Sequence, residues 1–465
     1  MLIGKACAVF TALVLLAGTT PDTSRGRETS LARLTRQNST FVLPIVRRDS
    51  LLNGLQIGVI QNVGTGSVVL RLRINSGAML DLAGKGGLSN LTADMLLRGG
   101  GGLSAKNVAE TIEQLGLTVS VTVTWDSTDI VVGGPSDALS SIFDLLGRLV
   151  ISPAFDQKEM ESVKAARIEA LKSAPPDNAD LVRRKAIEAV FGSHPYGHPM
   201  RGTRETIALI TRPDLTYYHN RFYLASNAAL MISGDANPED VTQLARAKLG
   251  SWIKGERVPP SFRPPEVHTS RRIFIFDRPD STEVHAALAQ IGLSRRADDY
   301  LAAMVMADIL SALNSKQANS TRRISVSMRV EPRVLAGPLV ITVKSPAEDL
   351  VGTLNALIED MALLQSRPPS IEQLELAKSH LIAAFSDRLR SPHETLDSLL
   401  DVELYGLGRD YLINFTDRVN AVTTGDVQRA AQKHLSPQTV AVAVAGPANK
   451  LQEPLKGLGP VTVLK

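Results

Sequence analysis

The same order of elements runs twice through this chain, with a short proline-rich stretch between the two passes. In the first pass, 54–61 and 67–74 read as strands; in SVVLRLRI, Leu70, Leu72 and Ile74 alternate with Arg71 and Arg73, the period of a half-buried strand. A helix over 86–97 carries apolar Leu88, Leu91, Met95 and Leu96, and Ser104 stands as an N-cap before a second helix with Val108, Ile112 and Leu115. Paired strands follow at 117–123 and 129–133, then helices at 137–150, 156–172 and 179–191, a buried strand at 227–233 and a helix at 238–249. VPPSFRPP (258–265) reads as an extended linker. The second pass has strands at 272–276 and 285–291, a helix at 298–313 and strands at 324–330 and 338–343. Helices at 347–365, 371–389, 392–405 and 424–434 follow, and the chain is expected to end on a strand at 439–445. Two halves of about 200 residues with one rhythm imply duplication. Hairpin strands with helices kept to one side imply an α+β fold: two homologous domains, each an antiparallel sheet backed by helices. The expected boundaries are 45–256 and 269–465, joined by a linker at 257–268.

The start of the chain carries a different signal. Lys5 precedes a largely apolar run over 6–17, which ends in Ala17, Gly18, Thr19 and Thr20. This is the layout of a secretory signal peptide over 1–20, and the run is too short to span a bilayer, which takes about 20 apolar residues. Thr19 stands where a lipoprotein signal would need cysteine. After a polar leader over 21–44, the mature protein is expected to be periplasmic or secreted, with no stable membrane anchor. Cys7, the single cysteine, lies within the signal, so neither disulfides nor thiol chemistry belong to the mature chain. The net charge of +4 is spread over short runs such as Arg47-Arg48 and Arg322-Arg323, and aromatics make up only 4%. Neither favours nucleic acid as a partner.

Several phrases carry a family resemblance. The stretch GKGGLSNLTADMLLRGGGGLSAKNVAETIEQLGLTVSV, beginning at Gly84, resembles the hallmark region of the insulinase-like (M16) peptidases. FGSHPYGHPMRGT from Phe191 and MISGDANPEDV from Met231 are similar to two further family segments. LYGLGRDY from Leu404 and VTTGDVQRAAQKHL from Val422 resemble the family's C-terminal domain. The likeness runs from about residue 45 to 455. It implies domains that close as half of a clamshell around a chamber for unfolded peptides.

The resemblance also locates a loss. Active members carry His-x-x-Glu-His on one helix: the two histidines bind zinc, the glutamate serves as base, and a glutamate about 75 residues downstream is the third ligand. Aligned on Gly87-Leu88 and Met95-Leu96, this chain reads Asn90-Leu91-Thr92-Ala93-Asp94. Both imidazoles are gone, and alanine replaces the base. The third-ligand count falls on Glu169. Catalytic zinc needs about three protein ligands, and neutral Asn90 is a poor one. Ala93 has no atom that takes a proton from water, and loss of a positioned base costs about 10²–10⁴-fold. Hence no catalytic residue, no metal and no cofactor are expected in this chain, with zinc only in an active partner. The family's substrate-holding Arg and Tyr, seven residues apart, would fall on Ala318 and Ser325; Arg322, Arg323 and Arg329 are near in sequence, but no Tyr stands seven beyond any of them.

The implied function is a non-catalytic partner of an M16 subunit with an intact motif, handling unfolded peptides in the cell envelope. A second reading is a stand-alone peptide-binding or scaffolding protein. A third is a metallopeptidase with unorthodox ligands: Asp94, Glu169 and a remote histidine. Other motifs read as structure. His194 and His198 are four apart, but Pro195, Gly197 and Pro199 forbid a regular helix. The glycine run 99–102 lacks the Lys-Ser/Thr of a phosphate loop and reads as a turn. Asp126-Ser127-Thr128 has no strand-turn-helix elbow around it.

Overall fold

In a computed structural model of the chain, the described residues are 44–464, apart from 175, 258 and 318–323. The expected signal peptide and nearly all of the leader lie outside them, as do Ala318, Arg322 and Arg323. Among the described residues, no helix is long and apolar enough to cross a membrane.

The first half is built on strands β1 (Arg47–Ser50), β2 (Gln56–Gln61), β3 (Ser67–Ile74), β4 (Thr118–Val123), β5 (Thr128–Pro135) and β6 (Ala228–Gly234). Its longer helices are α1 (Leu88–Leu96), α2 (Ala105–Gln114), α3 (Leu139–Ile151), α4 (Gln157–Ser173), α5 (Asn178–Phe191), α6 (Arg212–Phe222) and α7 (Pro238–Leu249). The second half holds β7 (Arg272–Asp277), β8 (Glu283–Ile291), β9 (Ser325–Val330), β10 (Pro338–Pro346), β11 (Ala441–Gly446) and β12 (Val461–Leu464). Its longer helices are α8 (Tyr300–Gln317), α9 (Leu350–Ser366), α10 (Ile371–Arg388), α11 (Pro392–Tyr405), α12 (Thr424–His434) and α13 (Ala448–Leu455). The sheet orders are β1-β2-β6-β3-β5-β4 and β12-β7-β11-β8-β10-β9. Five positions correspond one for one, including the parallel pairs β2–β6 and β7–β11 within otherwise antiparallel neighbours. The sixth differs: β1 runs antiparallel to β2, whereas β12, from the end of the chain, runs parallel to β7.

The α+β fold with two sheet-and-helix halves therefore holds. The chain does not end on its 441–446 strand, however; α13 and β12 follow. Nor does the sequence reading contain α6, although Thr211 and Asp214 form a capping box at its start, a local signal of a helix N-terminus.

Strand alternation explains how the halves join. In β11, Val442 and Val444 face the core under α8, α9 and α12, while Ala441, Ala443 and Ala445 face the other way. Ala287 and Ala289 of β8 share that second face, which is covered by Val182, Ala186 and Val190 of α5, a helix of the first half. The exchange is reciprocal: Leu396, Leu399 and Leu400 of α11, from the second half, cover Ile60, Ala229 and Met231 on the first sheet. α5 and α11 occupy the same place in the duplicated order, third after the paired strands. Arg71 and Arg73 of β3 also meet α11. Arg71 donates to Asp397 at 2.6 Å, and Arg73 bonds Asp129 at 2.7 and 3.0 Å, Asp401 at 2.6 Å, and Asp397. The basic face of that strand is thus covered, Arg73 buried and Arg71 half-buried, by carboxylates from both halves.

Candidate functional site

α1 carries the motif positions, and its start is tightly built. Gly87 adopts φ 93°, and a Cβ there would stand 2.8 Å from the carbonyl oxygen of Arg201, so the 198–202 loop passes close over the helix end. The Asp81 carboxylate accepts the N–H groups of Gly87 and Ser89, both at 2.7 Å. Burial outweighs these bonds and pushes Asp81 up to about 6.

Asn90, Ala93 and Asp94 share one face of α1, being three and four residues apart. Asn90 and Ala93 are buried. The Asn90 amide donates to the Met200 carbonyl at 2.9 Å. The Asp94 carboxylate accepts from Nε of Arg167, which reaches over from α4, and Nη2 of Arg167 donates to the Asn90 carbonyl at 3.3 Å. Arg167 therefore pairs with the side chain at the second former imidazole position, Asp94, and bonds the main chain at the first, Asn90. Glu169 does not join them. Its side chain is 67% exposed and accepts from Lys172 at 3.1 Å. Two residues from Arg167 is about 200° around a helix. Sequence counting to Glu169 missed Arg167, and helical periodicity is the signal that finds it: buried Met160 and Val163 of α4 define a stripe whose next step, four residues on, is 167. Among the described residues, no group of three His, Cys, Asp or Glu side chains could hold a metal ion.

Arg167 also lines a cleft of about 1150 Å³ that opens between α4, α5, the 196–202 loop and the 331–333 segment of the second half. Behind its wall, where Trp125, Tyr196 and Arg333 line it, lies a polar hub. Asp126 accepts from the Tyr196 hydroxyl at 2.9 Å, the Val334 N–H at 2.9 Å and the Tyr405 hydroxyl at 3.3 Å. Burial pushes Asp126 and Tyr196 above their ordinary ranges. The Arg333 guanidinium lies 4.5 Å from the Trp125 ring centre and 4.4 Å from that of Tyr196. Trp125, Asp126 and Tyr196 belong to the first half and Arg333, Val334 and Tyr405 to the second, so the Asp126-Ser127 turn and the His-Pro-Tyr segment form part of the seam between the halves. His194 caps the short turn Pro195–Gly197 by accepting the Tyr196 N–H at 3.1 Å, and His198 donates to the Pro199 carbonyl at 3.1 Å. The glycine run, read as a turn, is a tight hairpin between α1 and α2: Gly99–Gly100 pair with Leu103–Ser104 around a turn at 101–102, and Gly99, Gly101 and Gly102 take φ of 118°, 55° and 86°. Ser325 opens β9, and Arg329 lies on that strand.

What this arrangement does chemically is limited. An asparagine amide, a methyl group and an ion-paired carboxylate leave no group on α1 to activate water.

Residues 58–204 match the model of the insulinase family (peptidase family M16), and residues 209–381 match that of the peptidase M16 inactive domain. Among curated relatives, an uncharacterized zinc protease of Bacillus subtilis (strain 168), YmxG, is 21% identical over 414 residues, 88% of this chain and 100% of that one. The mitochondrial-processing peptidase subunit beta of Blastocladiella emersonii is 19% identical over 425 residues, 88% and 90% of the respective chains. Among solved structures, a peptidase M16 inactive domain from Pseudomonas fluorescens superposes with a TM-score of 0.78 at 23% identity, covering 87% of this chain and 98% of that one. The periplasmic protease PqqL from Escherichia coli gives 0.73 at 16% identity, covering 88% of this chain and 48% of PqqL.

Proposed function

This chain belongs to the M16 peptidase family, and from that premise we propose that it is a non-catalytic member, the partner of a separate M16 subunit that carries an intact zinc motif. In that assembly it supplies half of a chamber for unfolded peptides and no metal of its own. The observation that carries the reading is Asp94 ion-paired to Arg167 and the Asn90 amide tied to the Met200 carbonyl, with Ala93 in the place of the base. A guanidinium here is a cation where the family has a cation, but it offers no open coordination position and no ionisable water. The same pair speaks against unorthodox ligands, since Asp94 is engaged and Glu169 is turned to Lys172. The signal-like segment at the start of the sequence and the periplasmic relative support export to the periplasm or beyond.

A stand-alone peptide-binding or scaffolding role is the second reading, favoured by a cleft that this chain completes from its own two halves. Purification from the native host separates the two. A co-purifying M16 chain with His-x-x-Glu-His, whose cleavage of unstructured peptides rises when this chain is added, is the expected result. Peptide binding without any such partner moves the conclusion to the second reading. Stoichiometric zinc with chelator-sensitive proteolysis by the single purified chain overturns both.

A further inference from the structure

The arginines around the cleft are not equally neutralised. Arg167 is held by Asp94, and Arg184 by Asp180 at 2.8 Å. Asp177 caps α5. Glu331 is shared: Arg183 donates to it at 2.5 Å, while Arg333 approaches its other oxygen at 3.5 Å. Arg201, exposed on the loop above α1, has no hydrogen bond or ion pair from its side chain among the described residues.

Arg333 is the sharper case. It is only 4% exposed, and its Nη1 has no hydrogen-bond partner among the described residues. The rings of Trp125 and Tyr196 satisfy the faces of the guanidinium but not its edge, where the N–H donors lie. Burial pushes this group down to about 10 despite the pull of Glu331. A buried charged donor without an acceptor is costly. It persists here, fixed between two aromatic rings, in the wall of an open cleft. Nη1 is closed to solvent in this conformation, so an acceptor from the cleft recovers that cost through a small turn of the side chain toward it, and a planar carboxylate is the acceptor that matches the guanidinium fork.

We infer that the cleft selects carboxylate-bearing peptides, with Arg333 and its neighbour Arg183 reading the carboxylate and Arg201 drawing it in from the mouth. The inference rests on the proposal that this cleft receives extended peptides, and adds what it prefers among them. The carboxylate comes either from an acidic side chain or from a peptide C-terminus; the chemistry is shared, and the test distinguishes the sources.

The test is fluorescence anisotropy of the full purified chain with short, unstructured, rhodamine-labelled peptides. Four share one sequence: Glu or Gln at the internal acidic positions, each with a free or an amidated C-terminus. The carboxylate forms are expected to bind about tenfold tighter than the fully neutral peptide, the scale of one charge-assisted hydrogen bond. Whichever replacement removes the advantage, Gln or amide, identifies the source. Arg333→Met brings the ratio to near one while the neutral peptide still binds, which also shows the variant to be folded. Arg201→Gln, at an exposed position, reduces the advantage about threefold and makes it less salt-dependent, as loss of a steering charge does. Equal binding of neutral and acidic peptides by the wild type overturns this inference and leaves the peptide-chamber proposal standing. Failure to bind any of the four overturns both.

Discussion

At the scale of the residue, Arg167, ion-paired to Asp94, argues against easy repair of the motif. Restoring the letters of the motif by Asn90→His, Ala93→Glu and Asp94→His leaves Arg167 pointing into the site. It adds a positive charge beside the metal and supplies no third protein ligand, because Glu169 faces away. The triple variant is therefore expected to bind zinc no better than a surface histidine pair. Adding Arg167→Glu removes the cation and provides a carboxylate from the correct face of α4, and should tighten zinc by about 100-fold or more, as a first-ligand change does. Titration calorimetry with zinc compares the two, and tight binding by the triple variant alone would show that Arg167 is not the obstacle. A second residue-scale consequence concerns Asp81, raised from an ordinary 3.8 to about 6 by burial. For a carboxyl raised on folding, the native state holds the proton more tightly than the unfolded chain does. Its contribution to stability is thus greatest in acid and is lost as pH rises from about 4 to about 6. Relative to Asp81→Asn, the wild type should gain about 2 kcal/mol of unfolding free energy between pH 7 and pH 4. Urea unfolding at the two pH values measures it; a difference that stays constant removes Asp81 as a titrating group.

At the scale of the element, the small side chains of β8 and β11 matter more than their apolarity. Ala287, Ala289, Ala443 and Ala445 let α5 lie against the second sheet, so added volume there has nowhere to go. Ala443→Leu should destabilise the protein by about 2 kcal/mol, although it buries more hydrocarbon, because overpacking outweighs transfer at a close helix–sheet contact. Chemical denaturation at constant pH reads this, and a neutral or stabilising result would mean that α5 yields easily. The same elements show what the sequence makes legible. Strand β3 and helices α7, α11 and α12 coincide with their expected limits, because alternation, capping residues and helical stripes are local signals. The alternation AVAVAG in β11 is equally local, but what covers its alanine face is not: α5 lies some 250 residues earlier in the sequence, and nothing in its own periodicity names the sheet it packs on. Arg71 and Arg73 mislead for the same reason, since a basic face reads as solvent-exposed until Asp397 and Asp401 are placed over it. At the motif, the loss at Asn90, Ala93 and Asp94 is plain in one dimension, whereas Arg167 required the helical phase of α4 rather than a residue count.

At the scale of the whole molecule, reciprocal cover by α5 and α11 means that neither half keeps its second sheet face dry without the other. The described residues accordingly form one compact unit despite the duplicated topology. The charges reinforce this: Arg73, 4% exposed at the side chain, is shared between Asp129 of its own half and the partly exposed Asp397 and Asp401 of α11. The halves should then unfold together, and the two tryptophans allow a direct test, because Trp125 and Trp252 both belong to the first half. Trp125 touches Arg333 of the second half, so it is best removed as Trp125→Phe, leaving Trp252 in the first core as the only reporter. Val427→Ala is then placed in the other core, at a fully buried position on α12. Deleting its two methyl groups costs about 2 kcal/mol in the second half and touches nothing near Trp252. If the exchange of helices couples the halves, the tryptophan midpoint in urea falls by as much as the far-ultraviolet circular dichroism midpoint, and both probes give one transition. An unmoved Trp252 transition beside a shifted dichroism curve would show that each half holds its own fold, and that α5 and α11 are contacts rather than shared parts of the core.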